Sequence, residues 1–464
     1  MNDHRYNFRV NVTVILVIII FIINNGAQFL LYSNQNVLAE ALLDAVTTET
    51  VAQIRWVIAA SLLTSAATLI FWGYFSDKYS KKNILIISSA IWIAACFYIF
   101  FDSKITYEGL LVAQIFFGLG FGAVWPICYS LLGDIVKPEK RGLVFSFVGL
   151  TMGIGMTIGL FLGSLFSSAS YWRFPFLIIS IIGCILIIIF LVIGTDLKKG
   201  GVEHELKDVL KEGAVYTYEI KREHLRTIWR KPTNVNLFLQ GIPGMIPWAM
   251  ILIIAPIFFQ TLNYEENTAN LIVLLSQSTN IIGAIFGGWY GDRLALRSQR
   301  KRLLFVGLSI LIPIPFFATA FLLPYPTVGS DAGFGTFWTT PLYPVGFLLI
   351  SIGSFFAGNA GVNWYTINSD VNEPETRATI ISFHTVTDRI GNALGPVLAA
   401  TIGPLLAIQT GRSDAWIIAI GTLFWIPCAY FWLRSMKYID QDVQTMKTLL
   451  KQRAKELEQG LKSK

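Results

Sequence analysis

The chain has 464 residues, of which 54% are hydrophobic and 14% charged, against about 25% charged in an ordinary soluble protein. This balance, with a formal net charge of +7, excludes a soluble enzyme, and it excludes a disordered chain, which would be poor in apolar residues. The apolar excess lies in long runs such as 12–23, 177–193 and 303–323, the signature of helices that need ~20 residues to cross a bilayer and not of the alternating strands of a membrane β-barrel.

In chain order, the N-terminal MNDHRYNFRV leads into an apolar stretch with no small-residue cleavage site, which reads as a retained first helix and not a signal peptide. Apolar runs between polar breaks predict about twelve helices, near 11–33, 53–76, 83–101, 109–133, 142–167, 174–194, 235–260, 268–291, 303–323, 341–368, 378–407 and 414–436. Residues 195–234, charged in both signs, separate six helices from six. Within them Leu206, Val209, Leu210, Leu225, Ile228 and Trp229 recur at near-helical spacing, which predicts amphipathic helices on a membrane surface. The tail 440–464 carries Val443, Met446, Leu450, Leu457 and Leu461 in the same manner. The expected organisation is thus an all-α membrane protein of two bundles, 1–194 and 235–439, joined by a linker and followed by a basic tail helix. Most Lys and Arg fall on one side of this topology, which sets both termini in the cytoplasm of a plasma-membrane protein. The basic charge therefore serves orientation, and no nucleic-acid partner is expected. Cys96, Cys128, Cys184 and Cys428 all sit in apolar runs, as packing residues and not a disulfide or metal framework.

A repeat supports the division. Gly73-Tyr-Phe-Ser-Asp77-Lys78 follows the second predicted helix and Gly288-Trp-Tyr-Gly-Asp292-Arg293 the eighth; Asp134-Ile-Val-Lys-Pro138-Glu139-Lys-Arg141 follows the fourth and Asp370-Val-Asn-Glu-Pro374-Glu375-Thr-Arg377 the tenth. The second pair lies further apart than the first, and the Pro-, Gly- and aromatic-rich segment 324–344 accounts for the difference as an external insertion. Duplicated six-helix halves are a common plan of transporters.

At these residues the chain resembles the major facilitator superfamily of secondary transporters. The family loop signature G-x-x-x-D-R-x-G-R-R is matched by Gly73, Asp77, Lys78, Ser80, Lys81 and Lys82, and again by Gly288, Asp292, Arg293 and Arg297, with Ala295 and Leu296 departing from it. The resemblance assigns gating to Gly73, Asp77, Lys81, Asp134, Arg141, Gly288, Asp292, Arg293, Asp370 and Arg377: an Asp beyond one helix can face another helix's N-terminal dipole. The runs 240–248 and 389–396 and Asp196-Leu-Lys-Lys-Gly resemble the spinster branch, whose members move lysolipids and sphingolipid-like amphiphiles. Where relatives carry an Asp-Arg pair late in the first helix this chain has Tyr32, Asn34, Gln35 and Asn36, and Gln114 and Phe121 stand where the fourth helix commonly carries Arg and Glu.

Ionisable residues inside a membrane are costly and functional by default, which points to Asp388 and Arg389 in the eleventh predicted helix. Arg389 is expected to bind an anionic headgroup through its planar donor fork, with Asp388 offsetting charge or taking up a proton or cation. Amides form a second set: Asn25 and Gln28, Gln277 and Asn280, and Asn359 and Asn363 pair at helical spacing, and with Asn34, Gln114 and Trp364 they are candidates for a shared polar cavity. Trp56, Trp172, Trp248, Trp338 and Trp416 read as interface anchors. Pro126, Pro243, Pro247 and Pro396 are expected to bend helices, and the glycines 149, 153, 155, 159 and 163 to form a smooth helix contact. The expected function is alternating-access movement of a small-molecule, lysolipid-like substrate by a monomer in the lipid bilayer, with no cofactor, no metal and no ATP motif. A sugar or organic-anion carrier of the same fold stands as the alternative. A membrane-embedded lipid enzyme lacks a nucleophile and base, and a transport-dead receptor has no distinguishing sequence mark.

Overall fold

A computed structural model describes residues 3–32, 34–45, 48–166, 168, 170–195, 203, 205–211, 216–329, 332–410 and 412–462. The first group of helices comprises α1 (Asp3–Phe29), α2 (Gln35–Leu43), α3 (Thr48–Lys78), α4 (Lys81–Phe101), α5 (Tyr107–Ile135), α6 (Arg141–Leu165) and α7 (Phe174–Ile193). The linker contributes α8 (Lys207–Lys211) and α9 (Arg222–Arg230). A second group follows: α10 (Pro232–Thr261), α11 (Glu266–Gln277), α12 (Thr279–Ala295), α13 (Gln299–Leu311), α14 (Pro313–Leu322), α15 (Phe334–Thr339), α16 (Tyr343–Val371), α17 (Arg377–Thr410), α18 (Ser413–Thr422) and α19 (Trp425–Ser435), before the tail helix α20 (Ile439–Lys462). Eleven segments among the described residues are long and apolar enough to cross a membrane. At 34 residues and ~1.5 Å per residue, α17 has the length to cross as well, and the polar residues Ser382, His384, Thr385, Asp388, Arg389 and Asn392 run along its first half.

Local chemistry explains where the helices start and break. Ser80 and Thr106 cap α4 and α5, their hydroxyls accepting from the Asn83 and Gly109 N–H, both at 3.2 Å, as N-cap residues do. Three predicted single helices are interrupted. α13 gives way to α14 at Ile312, where Pro313 has no N–H to continue the ladder. α18 gives way to α19 at Leu423–Phe424, four residues before Pro427 and Cys428 lose or stretch their bonds; the Leu423 carbonyl accepts instead from Ile426 N at 3.0 Å. α11 and α12 part at Ser278, whose hydroxyl donates back to the Leu275 carbonyl at 2.7 Å, while Thr279 donates across to the Ser351 carbonyl at 2.6 Å. By contrast α5 runs through Pro126 and α10 through Pro243, Pro247 and Pro256 without interruption.

Close packing within each group uses the same device. A Cβ on Gly118 or Gly122 of α5 would strike the Ser61 or Ser65 carbonyl of α3, and one on Gly283 or Gly358 would strike Phe355 or Asn280 across the α12–α16 contact. Of the α6 glycines, Gly155 and Gly159 pack on Ile22 and Gly26 of α1, whereas Gly149 and Gly153 face open space. They therefore form one tight contact and one free face, not a continuous smooth stripe. The insertion folds over α10 and α11, joined by Ala332 N to the Asn263 carbonyl at 3.1 Å and by an aromatic cluster of Tyr264, Tyr325, Phe337 and Tyr343.

The linker and tail cover each other. Leu206 and Leu210 are buried against Met446 and Leu450, with Val209 and Leu457 at the edge, and Ile228 is buried with Phe238 and Ile380. These apolar faces thus meet protein, while Trp229 remains half exposed. The Leu225 and Leu461 side chains and the Asp196-Leu-Lys-Lys-Gly run lie outside the described residues. Substituting Gly283→Leu, which puts a side chain into the Phe355 backbone, is expected to lower the melting temperature of detergent-purified protein by several degrees or to abolish folding. Gly153→Ala, in open space, is expected to leave it unchanged or slightly higher, since Ala exceeds Gly in a helix by about 0.5–1 kcal/mol.

Candidate functional site

The two helix groups are joined by carboxylates set at the ends of α3 and α12. Asp77 accepts from the Ala378 N–H at 3.1 Å and from the Thr379 N–H and hydroxyl, both at 2.7 Å, at the start of α17. Asp292 accepts from the Gly142 and Leu143 N–H groups, both at 3.1 Å, at the start of α6. The first N–H groups of a helix have no intrahelical acceptor, and negative charge there is favoured by the helix dipole. Each Asp therefore caps a helix of the other group. Glycine permits the approach: a Cβ on Gly73 would overlap the Ser382 side chain and the Ala378 carbonyl, and one on Gly288 the Gly142 carbonyl.

Arginines beside the capped N-termini cross back. Arg141 pairs with Asp370 at 3.2 Å and Arg377 with Asp134 at 2.9 Å. Lys81 supplies a second cation to Asp134 at 2.5 Å, and Arg302 one to Asp292 at 3.0 Å and to Asp370 at 3.6 Å. Both Arg141 and Arg377 also donate to the Gly133 carbonyl, at 2.9 and 3.3 Å, and both bond Glu203, Arg141 at 2.6 Å. Glu203 comes from the linker. Burial by itself would raise its carboxyl group, but the Arg141 and Arg377 charges outweigh that and hold it down to about 2.

The structure thus brings together nine of the ten residues read as gating. The exception is Arg293, which is exposed and has no ion pair among the described residues. The cation that serves Asp292 is Arg302, three turns of chain later and fully buried. Sequence reading missed Arg302 and Glu203. The available signal was an imbalance: the repeat places Asp134, Asp370, Arg141 and Arg377 in one neighbourhood with Lys81 on one side only.

Next to this network lies an aromatic layer shared by the two groups. Tyr365 of α16 stacks on Tyr129 of α5 at 3.7 Å, accepts a hydrogen bond from Trp125 Nε1 at 2.8 Å and meets Phe145 edge-on. Beyond it, a cleft of 140 Å³ opens among α10, α13, α14, α16, α17 and α19, lined by Gln240, Trp248, Trp364, Tyr365, Asp388 and Trp425 among others. Asp388 and Arg389 are half-buried. Neither makes a hydrogen bond or ion pair among the described residues, although Arg389 lies within Coulombic range of Tyr32 in the first group and of Tyr365 and Asp388 in its own.

The amides read as one polar cavity are not gathered in the cleft. Asn359 and Asn363 are fully buried between helices: Asn359 donates to Ser309 Oγ at 3.1 Å, and Asn363 accepts from Arg302 at 2.7 Å and donates to the Gly287 carbonyl at 3.0 Å. Asn34 donates to the Gly163 carbonyl at 2.9 Å and Asn25 to the Phe21 carbonyl of its own helix at 2.7 Å. Gln114 is buried in α5. Asn280 is half-buried and donates to the Ser354 carbonyl at 3.3 Å. Gln28 and Gln277 are also half-buried. Helical spacing identifies a common face; it does not identify what that face meets, and bonding between elements holds Asn34, Asn280, Asn359 and Asn363. Of the tryptophans read as anchors, Trp172 is buried and Trp248 lines the cleft, whereas Trp56, Trp338 and Trp416 are exposed. Trp432 and Trp425 were missed. Their indoles donate to Gln240 Oε1 at 3.0 Å and to the Gly244 carbonyl at 3.1 Å.

Comparison with known proteins gives this geometry a context. The profile described as Major Facilitator Superfamily matches residues 14–341. The sphingosine-1-phosphate transporter SPNS2 of Mus musculus is 20% identical over 410 residues, which cover 81% of this chain and 70% of that protein. Matches to two fungal transporters and one bacterial one span only 21%, 22% and 24% of those proteins' lengths. Among solved structures, the proton:xylose symporter XylE superposes with a TM-score of 0.66 at 12% identity, covering 93% of this chain and 96% of that one. A bacterial homologue of the human lysosomal transporter Spinster, in an inward-facing conformation, superposes with a TM-score of 0.59 at 15% identity, covering 94% and 98%.

Replacing Glu203 by Gln leaves two buried guanidinium groups short of one counter-charge, a loss of about 1–3 kcal/mol. The expected readout is faster hydrogen exchange at the Ala378 and Thr379 amides. Because Glu203 is held below its ordinary value of 4.5, its contribution is fully present above that pH and is lost as pH falls toward about 2. The difference in exchange between wild type and variant is therefore expected to be flat from pH 8 to pH 5 and to shrink below pH 4.5.

Proposed function

Since the chain belongs to the Major Facilitator Superfamily, we propose that it is a secondary transporter and not an enzyme, moving an amphiphilic substrate with an anionic headgroup by alternating access between bundles 1–194 and 235–439. The latched end, with Asp77, Asp292 and the arginines engaged, is the cytoplasmic gate in its closed state, and the basic residues on that side set its orientation. Opening inward requires both helix caps and the Arg141–Asp370 and Arg377–Asp134 pairs to part. Glu203 makes the linker a participant in that step.

Arg389 carries the substrate reading. A guanidinium more than three turns inside a membrane helix costs at least ~2.5–3.5 kcal/mol, and this one has no ion pair among the described residues. Its fork suits a phosphate or carboxylate, and Trp248, Trp364 and Tyr365 offer apolar surface in the cleft lined by its chain neighbour Asp388. The mouse relative named for sphingosine-1-phosphate and the spinster-like fold support a lysolipid-like molecule over other anions. A second reading, a water-soluble sugar or organic anion, rests on the half-buried amides Gln28, Gln277 and Asn280.

The test is uptake into proteoliposomes across a panel of lysophospholipids and sugar phosphates, with and without a pH gradient. A lysophospholipid is expected to be transported and Arg389→Ala to reduce its transport at least tenfold. Unchanged transport by the variant would remove the headgroup assignment, and sugar-phosphate uptake without lysolipid uptake would establish the second reading.

A further inference from the structure

The cleft lined by Asp388 has the wrong chemistry for an anion. Trp248, Trp364, Trp425, Trp432 and Tyr365 form its walls, and its one charged lining residue is the carboxylate of Asp388. The indole edges of Trp425 and Trp432 are held by hydrogen bonds to the Gly244 carbonyl and Gln240. Trp364 is held edge-on against Tyr365 and His384 at ring separations of 4.3 and 4.2 Å. Their positions are thus fixed before any ligand arrives.

Asp388 lies against Gly241 of α10, where a Cβ would stand 2.6 Å from its Oδ1. Among the described residues the carboxylate has no hydrogen-bond donor and no cation within ion-pair distance, although Arg389 is its chain neighbour. Adjacent helical residues do not face each other, which keeps the two charges apart and available to different groups.

We propose that this cleft binds an organic ammonium group, with Asp388 as the counter-ion and the tryptophans as a cation–π wall. Aromatic faces attract a desolvated ammonium through the negative face of the ring quadrupole. An inorganic cation such as calcium or magnesium needs six or more oxygen ligands, which five aromatic rings and one carboxylate do not provide. The volume of 140 Å³ corresponds to roughly four or five waters at ~30 Å³ each, space enough for a tetramethylammonium-sized group. This site stands on its own residues; only the inference that ammonium and anion belong to one substrate molecule, a zwitterion bridging Asp388 and Arg389, rests on the proposed function.

Tetramethylammonium chloride, titrated into detergent-purified full-length protein against sodium chloride at equal ionic strength, is the probe, read by tryptophan fluorescence and thermal shift. A saturable change is expected with tetramethylammonium alone. Asp388→Asn and, separately, Trp364→Leu are expected to weaken it at least tenfold, while Trp364→Phe, which retains a ring, stays within about threefold of wild type. Arg389→Ala should bind tetramethylammonium at least as tightly, since a neighbouring positive charge is removed. That variant separates this site from the anion reading, which fails or stands on the transport assay alone. No saturable change in wild type, an equal response to sodium, or undiminished binding in a folded Asp388→Asn protein would overturn the proposal.

Discussion

Two carboxylates that cap helices of the opposite group set the geometry of the whole latched end. The N-termini of α6 and α17 present N–H groups with no acceptor of their own, and Asp77 and Asp292 supply one from across the interface. For the carboxylates to reach, α3 must touch α17 and α12 must touch α6 at backbone distance, which explains glycine at 73 and 288. Once the backbones are that close, Arg141 and Arg377 are enclosed and need carboxylates of their own. Asp370, Asp134 and Glu203 meet that need. A buried ion network contributes little net stability because desolvation offsets attraction. That balance suits the proposed function, in which the interface forms and parts, since the cost of exposing these charges to water is returned by their hydration.

The fold is duplicated while its chemistry is not. Both halves carry the capping Asp, the close glycine contact and the Arg–Asp cross pair. Only the second carries Asp388, Arg389 and the tryptophan-lined cleft, and the positions occupied by ionisable groups in relatives of the first half hold Tyr32, Asn34 and Gln114. The first half contributes surface to the shared aromatic layer through Trp125, Tyr129 and Phe145. On the proposed function, recognition is thereby concentrated in one bundle, and movement requires both.

What the sequence disclosed follows from how local each signal is. Long apolar runs and the paired Gly-x-x-x-Asp and Asp-x-x-x-Pro-Glu-x-Arg motifs are short-range patterns, and the helices and the latch were legible from them. Glu203 was not, because its position depends on how the linker packs under the tail helix through Leu206, Leu210, Met446 and Leu450, a contact between distant segments. Asn359 and Asn363 stand on one face of α16, as their spacing requires, yet that face meets α12 and α13 and not the cleft. The breaks at Ser278 and Leu423 lie a few residues from the polar or proline signals that cause them, so an apolar count bridges them. Trp425 and Trp432 were indistinguishable from lipid-facing aromatics by composition alone.

Tyr365 gives the cleft a physical route to the latch. It lines the cleft, stacks on Tyr129 and accepts from Trp125 across the interface, and Ser369, one turn further along α16, has its carbonyl bonded by Arg377 at 3.3 Å. A ligand changes the balance of two states only through interactions that differ between them. On the proposed function, a group seated against Tyr365 meets a ring whose contacts with Tyr129, Trp125 and Phe145 belong to the state in which the two bundles are closed at this end. Any displacement of that ring trades contact with the ligand against contact with the first bundle. Under the proposed function, the occupant of the cleft and the closure of the gate therefore compete for, or share, the same side chain, and the sign of that coupling is set by whether the bound group holds Tyr365 toward Tyr129 or draws it away.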